Sequence, residues 1–331
     1  MQPLSPGQRP NAPRYAARLN AFKIGLPGKP TIEDMLRGAA SVEGLNAADL
    51  NYPDHFETHT ARDVASVLDG LGIALNGLAM RYYTDPGFRL GAFTHPDRAV
   101  RQNAIDLTRR GIDTLSEMGG DLMTLWMGQD GFDYAFQGNY RQMWDDTIDA
   151  IQAVCAHNRS VQIAIEYKPN EPRAYALMPD IGTTLLAVKE AGSPNLGVTL
   201  DFAHVLYADE MPAHTAHLIE RHSKILGVHL NDGYGKRDDG LMVGSVHPIQ
   251  TVELFVELAR AGYAGAIYFD TFPDHGGLDP CEEARANIAA TDRLRAVAEG
   301  LMDNVDLAQA IAAQNAAASH TIISRALFGA G

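Results

Sequence analysis

The sequence predicts an α/β fold in one particular form: a closed (β/α)8 barrel of the TIM type, with an extra helical tail at its C-terminus. Three observations carry this. Eight short apolar runs alternate with longer helix-period segments in one unbroken series. Several runs are continuous in Val, Ile and Leu, as suits strands of a parallel sheet that are covered on both faces. The signatures of an open doubly wound sheet, GxGxxG and GxxxxGK, do not occur, and neither do GxSxG or HExxH.

The elements follow in order. The first 20 residues are Pro-rich and polar, and read as an extended arm; residues 21–302 read as the barrel. The expected strands are FKIGL (22–26), ADLNY (48–52), IALNGLAM (73–80), DLMTLWM (121–127), VQIAIEY (161–167), LGVTLDF (196–202), ILGVHLN (225–231) and GAIYFDT (265–271). Helix signals lie between them. TIEDMLRGA opens on a Thr cap with acidic residues in its first turn. HPDRAVRQNAIDLTRRGIDTLSEMG is a long amphipathic pattern closed by Gly, and the segments opening at Tyr140, Met178, Pro212 and His247 are similar. Residues 303–331 are Ala-rich and helical with no strand after them, and read as a tail packed on the barrel or on a neighbouring subunit.

Bulk properties narrow the function. With 331 residues, 46% of them hydrophobic, the chain can bury a core of barrel size. A net charge of -14 repels phosphate backbones and argues against nucleic-acid binding. No apolar run reaches the ~18 residues of a membrane span, and MQPLSPGQRPNAPRY lacks the apolar stretch of a signal peptide. Cys155 and Cys281 form no CxxC and no metal-type spacing. A cytoplasmic protein with inert thiols is the expectation.

The informative residues sit where the strands end, which is where a barrel of this kind carries its chemistry. Strand five ends with Glu166 and Lys168, strand six with Asp201 followed by His204, strand seven with His229 and then Asn231, and strand eight with Asp270. Any one such Asp would ordinarily cap the next helix, and a lone His229 would be a core histidine. Four successive strands delivering Glu, Asp, His and Asp to one rim are different. Neighbouring buried carboxylates are costly to desolvate unless a cation neutralises them. The donor mix suits Mn²⁺ first, or Co²⁺, Mg²⁺ or Zn²⁺, as one or two ions. Asp238 and Asp239, after strand seven, read either as a solvated turn or as part of the site. Trp126, at the end of strand four, reads as a core aromatic or as an apolar wall that keeps water from a reacting carbon; Phe93 carries the same pair of readings. No role is assigned to His55, His59, His214, His217 or His222. His247 reads as a helix-start residue, and His275 lies near the rim.

These residues resemble a known family. EYKPNEPR (166–173) is similar to the strand-five signature E-x-K-P-N-E-P-R of xylose isomerases. The segment from GAFT (91–94) to WMGQDG (126–131) resembles that family's G-x-F-T and W-G-G-x-x-G, and Asp201-Phe202-Ala203-His204 its acidic-x-x-His. The likeness spans roughly residues 90–272. Strand six carries Asp where xylose isomerases carry Glu, and strand seven His229 where they carry Asp; both changes are similar to the L-rhamnose isomerase branch. The family's D-x-D-L loop stands here as Asp238-Asp239-Gly240-Leu241, with Gly240 replacing the second aspartate. The strand-two histidine motif is not evident in ADLNYPDHF.

The resemblance implies an aldose–ketose isomerase that works by a metal-assisted hydride shift between C1 and C2; with no phosphate-binding signature in the sequence, a neutral monosaccharide is the expected substrate. Glu166, Asp201, His229 and Asp270 would hold one ion, and His204 and Asp238, with Asp201 shared, a second that acts as Lewis acid. Lys168 would bind the carbonyl oxygen, Trp126 and Phe93 would form the dry wall, and Asn231 would contact substrate. It also implies a homo-oligomer, a dimer or tetramer. The alternatives are a ketose 3-epimerase of the same superfamily and a non-catalytic sugar- or metal-binding relative.

Overall fold

The computed structural model describes residues 13–329. Eight parallel strands are present: β1 Tyr15–Ala17, β2 Ala47–Tyr52, β3 Ala74–Met80, β4 Leu122–Trp126, β5 Gln162–Glu166, β6 Leu196–Asp201, β7 Ile225–Leu230 and β8 Ile267–Phe269. From β2 to β8 each pairs with the next in sequence, and β1 pairs with β8. A parallel bridge from Tyr15 to Leu45, just ahead of β2, brings the two edges together and closes the barrel. The Asn46 amide donates to the Tyr15 carbonyl at 3.1 Å in the same seam.

The helices that cover the barrel are α1 Ile32–Ala40, α2 Ala61–Leu71, α3 Arg98–Glu117, α4 Tyr140–His157, α5 Ile181–Ala191, α6 Pro212–His222, α7 Pro248–Arg260 and α8 Pro280–Met302. Thr31 and Thr60 close full capping boxes with Asp34 and Asp63 at the starts of α1 and α2, caps worth about 1 kcal/mol each. The continuous apolar runs follow from burial on both faces. Ile163 and Ile165 of β5, Val198 and Leu200 of β6, and Val228 and Leu230 of β7 are all buried and belong to the main core. The residues between them face the barrel axis, where space is short. A Cβ on Gly227 would lie 2.8 Å from the Thr199 hydroxyl, so that level of the interior admits only glycine.

Seven of the expected strands lie within two residues of their observed bounds at each end. The first is corrected. FKIGL is no strand; its first two residues end a 3-10 helix, Leu19–Lys23, and Ile24 and Leu26 face solvent. The barrel's first strand is Tyr15–Ala17, inside the segment expected to be an extended arm. Three residues, two of them alanine, are too short and too small to form a visible apolar run, yet they suffice against β8. Residues 1–12 of that arm lie outside the described residues. Beyond α8, the tail forms α9 Val305–Ala312 and α10 Ala316–Phe328. Leu307, Ile322, Ile323 and Leu327 pack them onto the main core.

Candidate metal centre and active site

The strand register aims four ligands at one point. Asp201, the last residue of β6, is the register partner of His229 on β7, and His229 is the partner of Tyr268 on β8. All three therefore face the barrel axis. Asp270, two residues past Tyr268, returns to the same face, as Lys168 does two residues past Glu166. One donor atom from each of Glu166, Asp201, His229 and Asp270 lies within 4.8 Å of the others.

The chain also fixes how these groups are turned. Asp201 caps the short helix Phe202–Tyr207, its Oδ1 accepting from the His204 amide at 2.9 Å. The cap reading and the ligand reading of Asp201 thus hold together. Asn231 is fully buried beneath it. Its amide nitrogen lies 3.3 Å from both Asp201 oxygens and donates to the Asp270 carbonyl at 3.1 Å, while its Oδ1 accepts from the Ala203 amide at 2.8 Å. His204 lies among three carboxylates. Its Nδ1 is 3.6 Å from Glu166 and 3.9 Å from Asp201, and its Nε2 is 3.2 Å from Asp238 Oδ2. Lys168 donates to the same Asp238 oxygen at 3.1 Å and pairs with Glu171 at 3.0 Å.

Charge and burial pull against each other throughout. Burial opposes protonation of His229, but Glu166 beside it, together with Asp270 and Asp201, outweighs burial and lifts its pKa to about 10. His204 is likewise lifted to about 9 by Asp201 and Asp238 against burial. Burial, then Asp201, raises the Asp270 carboxyl to about 7. Asp238 goes the other way, for His204 and Lys168 overcome burial and hold it well below the usual carboxylate range. Lys168 stays cationic, because Asp238 and Glu171 outweigh its desolvation. Protons on the imidazoles are thus what balances the carboxylates in the bare protein. A divalent ion would balance the same charges, and the donor set of three carboxylates and one imidazole suits one. His204 Nδ1 and Asp238 Oδ1 are buried with no hydrogen-bond partner among the described residues, which leaves further donor atoms facing the same space.

The cluster opens into a cavity of about 340 Å³ bounded by Trp126, Tyr83, Tyr268, Arg18, Arg81 and Phe272 among others. Trp126 forms one wall. The Lys168 ammonium lies 5.4 Å from its ring centre, and Tyr83 stands edge-on to it at 4.8 Å. The indole Nε1 is buried without a protein partner among the described residues. Across the rim, the two-residue strands Gly131–Phe132 and Tyr175–Ala176 pair as a small antiparallel flap.

Of the residues expected at the site, Glu166, Lys168, Asp201, His204, His229, Asp238, Asp270 and Trp126 come together here. Phe93 does not. Its ring is fully buried and edge-on to Tyr82 at 5.6 Å, and it does not line the cavity. The turn that carries it is tied down by the buried Asp130, which accepts from the Ala92 and Thr94 amides, so the GAFT segment serves the scaffold. Tyr83 takes the place beside Trp126. Asn231 stands behind the ligands and off the cavity lining, positioning Asp201.

Asp238 points into the site, whereas Asp239 braces its own loop through the Tyr234 amide and Arg237. Gly240 has φ of +56°, and a Cβ there would lie 2.3 Å from the Phe272 ring. An aspartate has no room at that position. His275 lines the cavity, and His247 sits at the start of α7 with its ring 2.8 Å from Asp232. The cavity also takes in residues not expected from the sequence, among them Arg18, Asp49, Arg81, Tyr83, Tyr268 and Phe272. Arg81 directly follows the apolar run IALNGLAM, a place where an arginine reads equally as a solvated charge.

Comparison with known proteins agrees with this architecture. Residues 37–297 match the family model described as xylose isomerase-like TIM barrel. The chain is 28% identical to a xylose isomerase of Thermus thermophilus over 224 residues, covering 66% of this chain and 58% of that protein. It is 28% identical to a probable sugar isomerase of Rhizobium meliloti over 288 residues, covering 82% of this chain and 66% of that protein. The chain thus spans somewhat under two thirds of the length of these relatives. Among solved structures, an L-ribulose 3-epimerase matches with a TM-score of 0.69 at 14% identity, covering 89% of this chain and 99% of that one. A D-psicose 3-epimerase from Clostridium cellulolyticum H10 matches at 0.66 and 15%, covering 86% and 98%. These structures share the fold. No helix among the described residues is long and apolar enough to cross a membrane. With the barrel, the rim of carboxylates and imidazoles and a family match over most of its length, the chain belongs to the xylose isomerase-like TIM-barrel family.

Proposed function

We propose that the chain is a metal-dependent aldose–ketose isomerase acting on a monosaccharide. The observation that carries this reading is the placement of Lys168. The residue is 8% exposed, lies beside the four-ligand cluster, and is held by Asp238 and Glu171 against the Trp126 wall. A fixed cation at that point is suited to stabilise negative charge on a sugar oxygen.

Aldose and ketose interconvert when the C2 hydrogen moves with its electron pair to C1 and the O2 proton moves to O1. A divalent ion held by Glu166, Asp201, His229 and Asp270 would supply Lewis acidity toward the sugar oxygens. His204 and Asp238 would furnish the donors for a second. Lys168 would donate a hydrogen bond to the oxygen that gains charge. Trp126, with Tyr83 behind it, would keep water from the migrating hydrogen. Asn231 would hold the Asp201 carboxylate in place.

The test is a panel of C4–C6 aldoses and ketoses, neutral and bearing a terminal carboxylate or phosphate, given to protein loaded separately with Mn²⁺, Co²⁺, Mg²⁺ and Zn²⁺. Appearance of the matching ketose or aldose supports the reading, and failure of every sugar with every metal removes it. A ketose 3-epimerase is the second reading. Asp270, held near neutral pH by burial, could exchange a proton with carbon, and a C3 epimer as the product would establish that reaction instead. We also propose a homo-oligomer, on the exposed Val305, Ile311 and Phe328 of the tail; a solution mass equal to one chain of 35.8 kDa would exclude it.

A further inference from the structure

The third strand delivers a cation to the rim that forms no salt bridge among the described residues. Arg81 directly follows Met80, the last residue of β3, and its amide donates to the Tyr52 carbonyl at 2.9 Å. The guanidinium lies 4.4 Å over the Tyr83 ring and lines the same cavity as the ligand cluster. Tyr83 stands against Trp126, and Trp126 against Lys168. Arg81 and Lys168 therefore flank one continuous aromatic wall.

The other lysine and arginine side chains on the cavity lining have acidic partners. Lys168 has Asp238 and Glu171, and Arg18 has Asp274. Arg81 has none among the described residues, and its Nε is buried without a hydrogen bond. Burial is the leading influence on it and lowers its pKa. A desolvated guanidinium that faces a cavity without a partner is costly. A carboxylate or phosphate, which can accept from two of its N–H groups at once, removes that cost. Lys168 at one end of this aromatic wall and a guanidinium without an ion pair at the other fit a linear sugar with an acid at one end.

We propose that Arg81 is an anion subsite, and that the substrate is an open-chain sugar bearing a carboxylate or phosphate on the carbon farthest from the reacting pair beside Lys168. This rests on the isomerase reading only in placing a sugar in the cavity. It replaces the neutral sugar expected from the sequence, where the lack of a phosphate loop is visible and one strand-end arginine is not.

The test is calorimetric titration of Mn²⁺-loaded protein with three ligands that have no carbonyl to react: ribitol, ribonate and ribitol 5-phosphate. Wild type is compared with Arg81→Met, which keeps the stem over Tyr83, and with Arg81→Lys, which keeps the charge. One of the two anions is expected to bind wild type at least tenfold more tightly than ribitol. Which anion does so names the acidic group. Arg81→Met is expected to abolish that preference while leaving ribitol within about twofold, and Arg81→Lys to keep part of it. Equal affinity for all three ligands overturns the proposal. So does a preference that survives Arg81→Met, since the anion would then be bound at the metal, and so does binding of none of the three at millimolar concentration. Turnover is not read here, so failure of the isomerase reading and failure of this subsite show up in different experiments.

Discussion

Lys168 and Asp238 meet 3.1 Å apart across the mouth of the barrel, and the same Asp238 oxygen lies 3.2 Å from His204. One carboxylate thus orients both a cation suited to a substrate oxygen and an imidazole suited to a metal. Its position explains why the loop after β7 must return over the rim: Gly240, two residues on, passes directly against Phe272.

Removing the ammonium isolates its part. Lys168→Met is expected to lower kcat by about 10²–10³, the usual effect of losing one oxyanion donor. Mn²⁺ affinity should stay within a few-fold, because Lys168 supplies no ligand. Steady-state kinetics and a metal titration on the same preparation check both halves.

The four-ligand cluster predicts that metal and stability are linked. A divalent ion present at about 1,000 times its Kd is expected to stabilise the fold by about 4 kcal/mol, read as a higher Tm that falls on chelation. Asp270→Asn should lose most of this gain. Asp201→Ala should lose it and also about 1 kcal/mol more without metal, because Asp201 caps the helix Phe202–Tyr207.

The raised imidazoles predict opposite pH trends with and without metal. In the metal-free protein His229 and His204 are lifted to about 10 and about 9, above the ~6.5 of an unfolded chain. Folding favours their charged forms. Their contribution is complete below pH ~6.5 and is lost as pH rises through 9 to 10. Asp270, lifted to about 7, likewise favours the lower pH. A metal ion needs these imidazoles deprotonated, so its affinity rises over the same range. The Tm gap between Mn²⁺-loaded and metal-free protein should widen between about pH 6.5 and 9, as thermal melts across that range will show.

Restoring the aspartate of the family's metal loop should harm the protein. Gly240→Asp puts a side chain at φ +56° and drives its Cβ into the Phe272 ring. A loss of about 1–3 kcal/mol is expected, seen as a lower Tm, with no gain in metal stoichiometry.

Much of this was legible in the sequence for physical reasons. Strands buried on both faces must be apolar throughout, so a carboxylate at their tips stands out, and Glu166, Asp201, His229 and Asp270 were visible for that reason. The first strand was hidden because Tyr15–Ala17 needs only three residues to pair with β8. Phe93 stands in a motif but turns into the core, since Asp130 fixes the backbone on both sides of it. Arg81 was hidden because an arginine after an apolar run reads as a solvated charge. Its burial over Tyr83 depends on where the next loop folds.

In the proposed reaction, hydrogen moves directly between two carbons of a sugar in this cavity. The measurement that tests it most directly uses an aldose deuterated at C2, given to the Mn²⁺-loaded protein in ordinary water, with the ketose read by NMR. Direct transfer retains the deuterium and places it at C1. Loss of the label to water during aldose–ketose conversion, or a product changed only at C3, would contradict it.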